Sequence, residues 1–201
     1  RTQSMTMSDE ITELTEAELP ANVKSLWLKA QSAFELKNYT YAISLCHAVL
    51  KTEPGFYDAR KLARNAAASE NSGKKKKKGL FGGSGLSLMK IPSMGKKDPV
   101  GAMEALEIEL AKAPFDGQAN DLLFDCALRL NLLNTAAFAL ETVRRGSPEN
   151  TQLLHKLAEH YLARDMPDKA ADVYNDIVKQ DSADMDAVKG SKDATARASM
   201  K

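Results

Sequence analysis

Residues 119–179 read ANDLLFDCALRLNLLNTAAFALETVRRGSPENTQLLHKLAEHYLARDMPDKAADVYNDIVK, and one apolar pattern occurs in them twice. Ala102, Ala136 and Ala170 follow one another at a single constant interval. Further columns keep this interval: Leu106, Leu140 and Tyr174; Leu123 and Leu157; Ala127 and Tyr161; Glu109, Val143 and Ile177; and Pro114, Pro148 and Ser182. Because several independent columns share one period, the stretch predicts a structural repeat of about 34 residues.

An earlier copy of the pattern lies out of phase with the others. Ala42 and Pro54 each precede their counterparts, Ala102 and Pro114, by roughly 60 residues, which is more than one period. Subtracting one period of about 34 residues leaves an insertion of about 26 residues. The insertion falls in residues 70–98, a lysine- and glycine-rich stretch without helical periodicity.

The apolar residues recur at helical spacing, as in Leu26, Ala30, Ala33 and Phe34. Alanine, leucine and lysine dominate the composition, and this favours helix over strand. The periodicity predicts helices near 21–36, 39–52, 56–69, 99–112, 118–131, 135–145, 150–164 and 167–180, with a last helix near 183–198. The sequence therefore predicts an all-α protein.

These residues resemble the tetratricopeptide repeat (TPR) family, whose unit is a helix–turn–helix of about 34 residues. The positions that carry the resemblance are Leu157, Ala158 and Tyr161 in a first helix and Ala136, Leu140 and Pro148 in a second. The resemblance implies a right-handed superhelical solenoid of about four units, closed by a C-terminal capping helix that covers the last exposed face.

The predicted domain organisation follows from the repeat. Residues 1–20 form an acidic, flexible segment, residues 21–182 form the TPR domain, and residues 183–201 form the capping helix and tail. Within the domain the units span about 21–54, 55–114 with the inserted loop 70–98, 115–148 and 149–182.

The same resemblance places one stripe of each first helix on a concave groove. The predicted groove residues are Lys24, Trp27, Gln31, Phe34, Tyr57, Arg60, Arg64, Gln118, Asp121, Asp125, Gln152, His155 and Glu159. This groove is basic and aromatic at its N-terminal end and acidic at its C-terminal end, a polarity that orients a bound peptide. Two alternatives stay open: the charges form a merely solvated face, and Trp27 packs in the core rather than anchoring a partner.

The inserted stretch has several interpretations. It is a solvated loop, or a lid on the groove, or an anionic-membrane contact made by Lys74, Lys75, Lys76, Lys77, Lys78 and Phe81, with Leu80, Leu86, Leu88, Met89 and Ile91 inserting shallowly. Nucleic-acid binding is disfavoured, because the stretch has no arginine and Phe81 is its only base-stacking side chain.

Composition and motifs favour a non-catalytic protein. The formal net charge is +1, and no run of about 18 apolar residues predicts a membrane-spanning helix. His155 and His160 do not fit the two-histidine zinc motif, whose histidines are one residue closer together, and no motif predicts a cofactor, metal or catalytic nucleophile. Cys46 and Cys126 are expected to be buried core residues, with a disulfide as the alternative.

The sequence thus predicts a cytoplasmic scaffold or adaptor that binds a peptide or protein segment in its groove. The alternative is a peripheral membrane protein that binds anionic surfaces through residues 72–97. Self-association through an exposed end of the solenoid is left open.

Overall fold

The computed structural model describes residues 10–72 and 85–201, with side chains from residue 88 onward in the second range. Within these ranges it contains ten α-helices and no β-strand: α1 (Ala21–Glu35), α2 (Tyr39–Thr52), α3 (Tyr57–Asn71), α4 (Gly85–Lys97), α5 (Pro99–Lys112), α6 (Gly117–Arg129), α7 (Leu133–Gly146), α8 (Thr151–Ala163), α9 (Pro167–Gln180) and α10 (Met185–Ser199). A 3-10 helix, Glu16–Glu18, precedes α1. The prediction of an all-α fold is confirmed.

Three helix pairs, α1–α2, α6–α7 and α8–α9, are joined by turns of the same conformation. Lys37, Asn131 and Asp165 each adopt a left-handed φ, of 59°, 57° and 56°. In the first turn the amide of Asn38 donates to the carbonyl oxygen of Ala33, and the other two turns repeat this bond. This is the Schellman geometry, which satisfies the last carbonyls of a helix while the chain reverses. The predicted repeat is therefore present in the backbone as well as in the side chains.

Small side chains bring the helices of a pair together. Ala42, Ala102, Ala136 and Ala170 are all completely buried. They lie on α2, α5, α7 and α9, and three of these helices, α2, α7 and α9, are the second members of the pairs named above. A larger side chain would separate the two helices, since helix axes pack about 8–10 Å apart depending on the residues at the contact. The repeated alanines are thus a packing requirement of the fold.

The buried apolar residues form two clusters instead of one continuous core. The first comes from α1–α3 and includes Trp27 and Phe56. The second comes from α4–α10 and includes Leu106 and Leu140. Helices α2 and α3 pack against α5, so that the two clusters meet along this helix. The unit boundaries given by the sequence stay a prediction.

Residues 85–97 form α4, and the prediction of a loop throughout residues 70–98 is wrong for this part. Leu88 and Ile91 are buried, at 4% and 3% exposure, in the cluster of α4–α10. The helix packs against α5 and α6, as the first helix of a pair with α5 would. Two large aliphatic side chains one helical turn apart lie on one face and anchor it. Leu88 and Ile91 of the predicted insertion are thus part of the core.

The last helix, α10, covers the end of the second cluster. Its Ala187 and Ala194 are buried in that cluster, and the ring of Tyr174 fills the space next to Gly190. The Asp184 side chain accepts a hydrogen bond from the amide of Ala187 and caps the start of the helix. The predicted capping helix is present, and it begins slightly later than predicted.

The acidic N-terminal segment contacts the folded body from residue 11 onward. Ile11 packs against the cluster of α4–α10, and the amide of Leu14 donates a 3.1 Å hydrogen bond to the carbonyl oxygen of Gly55. Leu19 is buried in the other cluster. The prediction of a flexible segment is therefore wrong for the residues that make these contacts, because their apolar side chains and amides have partners in the body.

Candidate functional site

The basic end of the predicted groove is a buried ion-pair cluster. Arg60 and Arg64 of α3 are 2% and 1% exposed, and both contact Glu107 of α5, which is 3% exposed. The distance from Arg60 Nη1 to Glu107 Oε1 is 2.8 Å, and Arg64 donates to Oε2 and Oε1 over 3.0 and 2.9 Å. Arg60 Nη2 also donates to the carbonyl oxygen of Pro54 over 2.7 Å. The prediction that these arginines bind a partner's acids is wrong, because both are already bound within the fold.

The electrostatics of this cluster explain why Glu107 stays ionised. Burial alone would raise the pKa of Glu107, but the guanidinium groups of Arg64 and Arg60 outweigh burial and lower it to about 2. Burial lowers the pKa of Arg60, and Glu107 opposes that change. The three residues join α3 to α5 and therefore hold the two apolar clusters together.

The aromatic residues of the predicted groove pack within the fold. Trp27 is buried, with its ring edge-on to Phe56 at 5.0 Å between centroids, so the core interpretation of this tryptophan is correct. Phe34 packs against Tyr39 at 5.6 Å. Tyr57 is half-buried and packs edge-on to Phe138 of α7. Neighbouring rings in this geometry contribute to packing rather than to a free surface.

Two polar residues from α1 remain near solvent at this end. Lys24 is exposed and Gln31 is half-buried. Lys24 lines an open cavity of about 690 Å³ together with the exposed side chains of Leu28, Leu36 and Tyr41. Of the predicted N-terminal groove residues, Lys24 is the one that is fully exposed.

The acidic end of the predicted groove is accessible and ordered. Asp121 and Asp125 of α6 both accept hydrogen bonds from Lys156 Nζ of α8, over 2.5 and 3.1 Å. The ammonium group also lies 4.9 Å from the ring centroid of Phe124. Burial would lower the pKa of Lys156, but the two carboxylates outweigh it and raise the pKa above its ordinary value. Lys156 therefore remains charged and holds α6 and α8 in register.

The remaining predicted residues extend this surface. Gln118, Gln152 and Glu159 are exposed, and His155 Nε2 lies 2.7 Å from Asp184 Oδ2 at the start of α10. The hydrogen bond from His155 lowers the pKa of Asp184. We call this surface the acidic face: Gln118, Asp121, Asp125, Gln152, His155, Lys156, Glu159 and Asp184. The structure thus brings together the predicted groove residues of α6 and α8.

Sequence reasoning missed the partners of the charged residues. Lys156 and Asp184 bind predicted groove residues, and Glu107 binds two more, Arg60 and Arg64. Lys156 is 35 residues from Asp121, and consecutive residues such as His155 and Lys156 do not share a helix face, so this contact was not visible in local spacing. Glu107 is 43 residues from Arg64, and no local spacing indicates that contact.

The predicted anionic-surface site falls largely outside the described residues. This applies to Lys74, Lys75, Lys76, Lys77, Lys78 and Phe81. Leu88 and Ile91 are buried and have no surface to insert into a bilayer, whereas Met89 is 73% exposed. The shallow insertion predicted for these two buried residues is therefore wrong.

The described ranges hold neither a metal cluster nor a membrane-spanning helix. No group of three or more histidine, cysteine, aspartate or glutamate side chains in residues 10–72 and 85–201 is placed to hold a metal ion. None of the helices described above has the length and apolarity needed to cross a membrane. Cys46 and Cys126 are both buried free thiols, as expected for core residues.

Comparison with known proteins gives likenesses of fold only. No protein-family model matches the chain, and no curated protein matches it. Among solved structures, the chain is similar to the MamA protein, with 14% identity over 90% of this chain and 85% of that one and a TM-score of 0.42. It is also similar to a thermophilic TPR protein from Thermus thermophilus, with 15% identity, 90% and 84% coverage and a TM-score of 0.41. For MamA 41-end from Desulfovibrio magneticus RS-1, the identity is 19%, the coverage is 81% and 77% and the TM-score is 0.39.

Proposed function

We propose that the protein is a non-catalytic scaffold that binds a basic protein segment on the acidic face. The observation that carries this proposal is an excess of negative charge on α6, α8 and the start of α10. Four carboxylates, those of Asp121, Asp125, Glu159 and Asp184, share the face with one ammonium group, that of Lys156. An extended surface of one sign attracts and orients a partner of the opposite sign.

The arrangement of the face supports binding of an extended or helical segment. Its side chains come from successive first helices, α6 and α8, and from the start of α10. Gln118 and Gln152 are exposed beside the carboxylates and supply amide donors and acceptors for a peptide backbone. Stacked helix pairs present such extended surfaces as a consequence of their geometry.

The buried arginines restrict this function to the C-terminal half of the solenoid. Arg60 and Arg64 use their terminal nitrogens on Glu107 and on the Pro54 carbonyl oxygen. A bound segment therefore finds carboxylates and amides along α6 and α8, and it finds no free guanidinium from this pair. The expected ligand carries lysine or arginine at several positions.

The test is selection of random peptides on the full-length protein, followed by titration of the best labelled peptide by fluorescence anisotropy. We expect lysine and arginine to be enriched in the selected peptides. Asp125→Asn combined with Glu159→Gln should weaken binding about 2- to 30-fold, since each exposed charge pair contributes roughly 0.2–1 kcal/mol.

The matched control is Asp172→Asn combined with Glu35→Gln. It removes the same net charge at exposed positions on α9 and α1, two helices that carry no residue of the acidic face. It should leave the affinity unchanged within about twofold at physiological salt, where distant charges are screened. Equal losses for both pairs would mean non-specific attraction by net charge, and the acidic face would not be the binding site.

A further inference from the structure

A second surface of the protein is occupied by the N-terminal segment of the same chain. Residues 11–14 lie between the turn before α3 and the start of α7. Leu14 is bound to Gly55 on one side, and Glu13 is bound to Thr135 on the other. The segment therefore contacts both halves of the helical body at once. We call these residues the strap, and we call the surface beneath them the seam.

Glu13 supplies the N-terminal cap that α7 lacks. The residue before this helix is Leu132, whose side chain has no oxygen to accept from the first amides. Glu13 Oε1 accepts from the amide of Thr135 over 2.9 Å and from its hydroxyl over 3.2 Å, across 122 residues of sequence. A carboxylate at a helix N-terminus gains from both the amide donors and the helix dipole. The seam thus selects an acidic side chain at this position.

The seam also holds the strap through a close backbone contact and through an apolar side chain near Glu13. A side chain at Gly55 would overlap the carbonyl oxygen of Thr12, so the strap requires glycine beneath it. Ile11, which precedes Glu13 on the strap, packs against the cluster of α4–α10. Burial and then the nearby charge of Glu13 raise the pKa of Tyr57 at the same seam. A short peptide could therefore make each of these contacts, because each one involves only a backbone group or a single side chain.

Space remains beside the strap for a longer ligand. A cavity of about 270 Å³ lies between the strap and the α6–α7 turn and is lined by Leu130, Asn131 and Arg164. The guanidinium of Arg164 also reaches the Asn134 side chain over 3.1 Å. Glu10, which precedes Ile11, lines the same cavity as Arg164.

We propose that the seam is a binding site for an acidic, extended peptide with the order apolar–any–glutamate–apolar, and that the strap occupies it in cis. A partner segment of this chemistry binds by displacing residues 11–14. The strap holds an advantage because it is tethered, and a tether gives a high effective concentration. The site is thus closed until a partner with better contacts, or a change that releases the strap, opens it. This site is separate from the acidic face and opposite in its charge preference.

The experiment uses full-length protein and a fluorescein-labelled peptide of residues 8–18, SDEITELTEAE. The strap is weakened in the chain by Ile11→Ser with Glu13→Gln. The peptide should bind this variant at least about tenfold more tightly than the wild type, whose own strap competes. The same peptide with Glu13→Gln should bind about tenfold or more weakly, since it loses hydrogen bonds to a charged group. A control chain with Glu16→Gln, which changes charge outside the strap, should behave as the wild type.

Several results would overturn the proposal. Equal affinity for the weakened and wild-type chains, or no binding to either, would mean that the seam is not a peptide site. Loss of helical circular dichroism in the weakened chain would make the strap an integral part of the fold instead of a displaceable ligand. If the wild type is a dimer and the weakened chain is a monomer, the strap of one chain binds the seam of a second copy. That result would contradict the proposal that the strap occupies the seam of its own chain.

Discussion

Arg64 and Glu107 are 43 residues apart in the sequence and meet in two hydrogen bonds, of 3.0 and 2.9 Å. Arg60 binds the same carboxylate, so one buried anion serves two buried cations. This contact joins a helix of the first apolar cluster to a helix of the second. The charges most visible in the sequence as a candidate binding site thus hold the fold together.

Glu107→Gln should lower the free energy of unfolding by about 3–5 kcal/mol, because it leaves two buried guanidinium groups without a carboxylate. Urea titration followed by circular dichroism measures this change. Glu104→Gln, at an exposed position on the same helix, is the control and should change stability by less than about 0.5 kcal/mol. Replacing all three members by apolar residues should cost less than Glu107→Gln alone, since no unpaired charge remains. A larger cost for the triple variant would contradict this account.

The contribution of Glu107 should depend on pH in a defined direction. Its pKa is about 2 in the folded protein and about 4.3 in an unfolded chain, so the folded state binds fewer protons between these values. The stabilisation is therefore complete above about pH 5 and is lost as the pH falls toward about 2. The difference in unfolding free energy between wild type and Glu107→Gln should shrink over this range. A difference that stays constant from about pH 7 to about pH 3 would rule out this linkage.

Helix α4 should behave as a core helix. Leu88→Ala and Ile91→Ala should each destabilise the protein by about 2–5 kcal/mol, because each leaves a cavity in the second cluster. Met89→Ala is the matched control, since Met89 lies between them and is 73% exposed. It should have an effect below about 0.5 kcal/mol. Thermal unfolding measures the change in stability of the three variants. Equally small changes for all three would mean that residues 85–97 do not form a core helix.

The two thiols should be unreactive in the native protein. Burial, and then the charge of Glu107, raise the pKa of Cys46 to about 12, and burial raises the pKa of Cys126. Because the thiolate is the reactive form, neither should react with a disulfide reagent at about pH 8 until the protein unfolds. Both should react promptly in denaturant. Rapid labelling of one thiol without denaturant would show that its cluster opens readily.

Gly55→Ala should displace the strap. The added methyl group overlaps the carbonyl oxygen of Thr12, so the segment must move and lose its bonds to Gly55 and Thr135. We expect faster proteolysis before α1 and a shift in the fluorescence of Trp27, which packs on the neighbouring Phe56. In a chain that already carries Ile11→Ser and Glu13→Gln, Gly55→Ala should add little. Full additivity of the two changes would mean that glycine is needed for another reason.

Much of the fold could be predicted because the repeat records it in local spacing. The alanine column that contains Ala136 and Ala170 and the turns at Asn131 and Asp165 follow the same period. Helix α4 escaped prediction because its buried residues do not follow the repeat. The residue one period after Leu88 is Leu122, whereas the apolar column of the first helices contains the next residue, Leu123.

The site was harder to predict than the fold because charge does not reveal burial. Arg60 and Asp121 follow similar helical spacing, yet one is buried and the other is half-exposed. The difference lies in Glu107, a partner distant in sequence that no periodicity indicates. The bond between Glu13 and Thr135 spans 122 residues and is hidden for the same reason.

The buried cations also determine when α3 can pack against α5 while the chain is being synthesised. Arg60 and Arg64 leave the exit tunnel before Glu107, and the 43 residues that separate Arg64 from it take roughly 2 to 9 seconds to translate, at about 5–20 residues per second. During that interval the two guanidinium groups have no carboxylate and must stay hydrated, so α3 cannot yet close against a nascent α5. The packing of α3 against α5 therefore waits until α5 has been synthesised. An apolar helix could not take the place of α5 without leaving two positive charges unpaired.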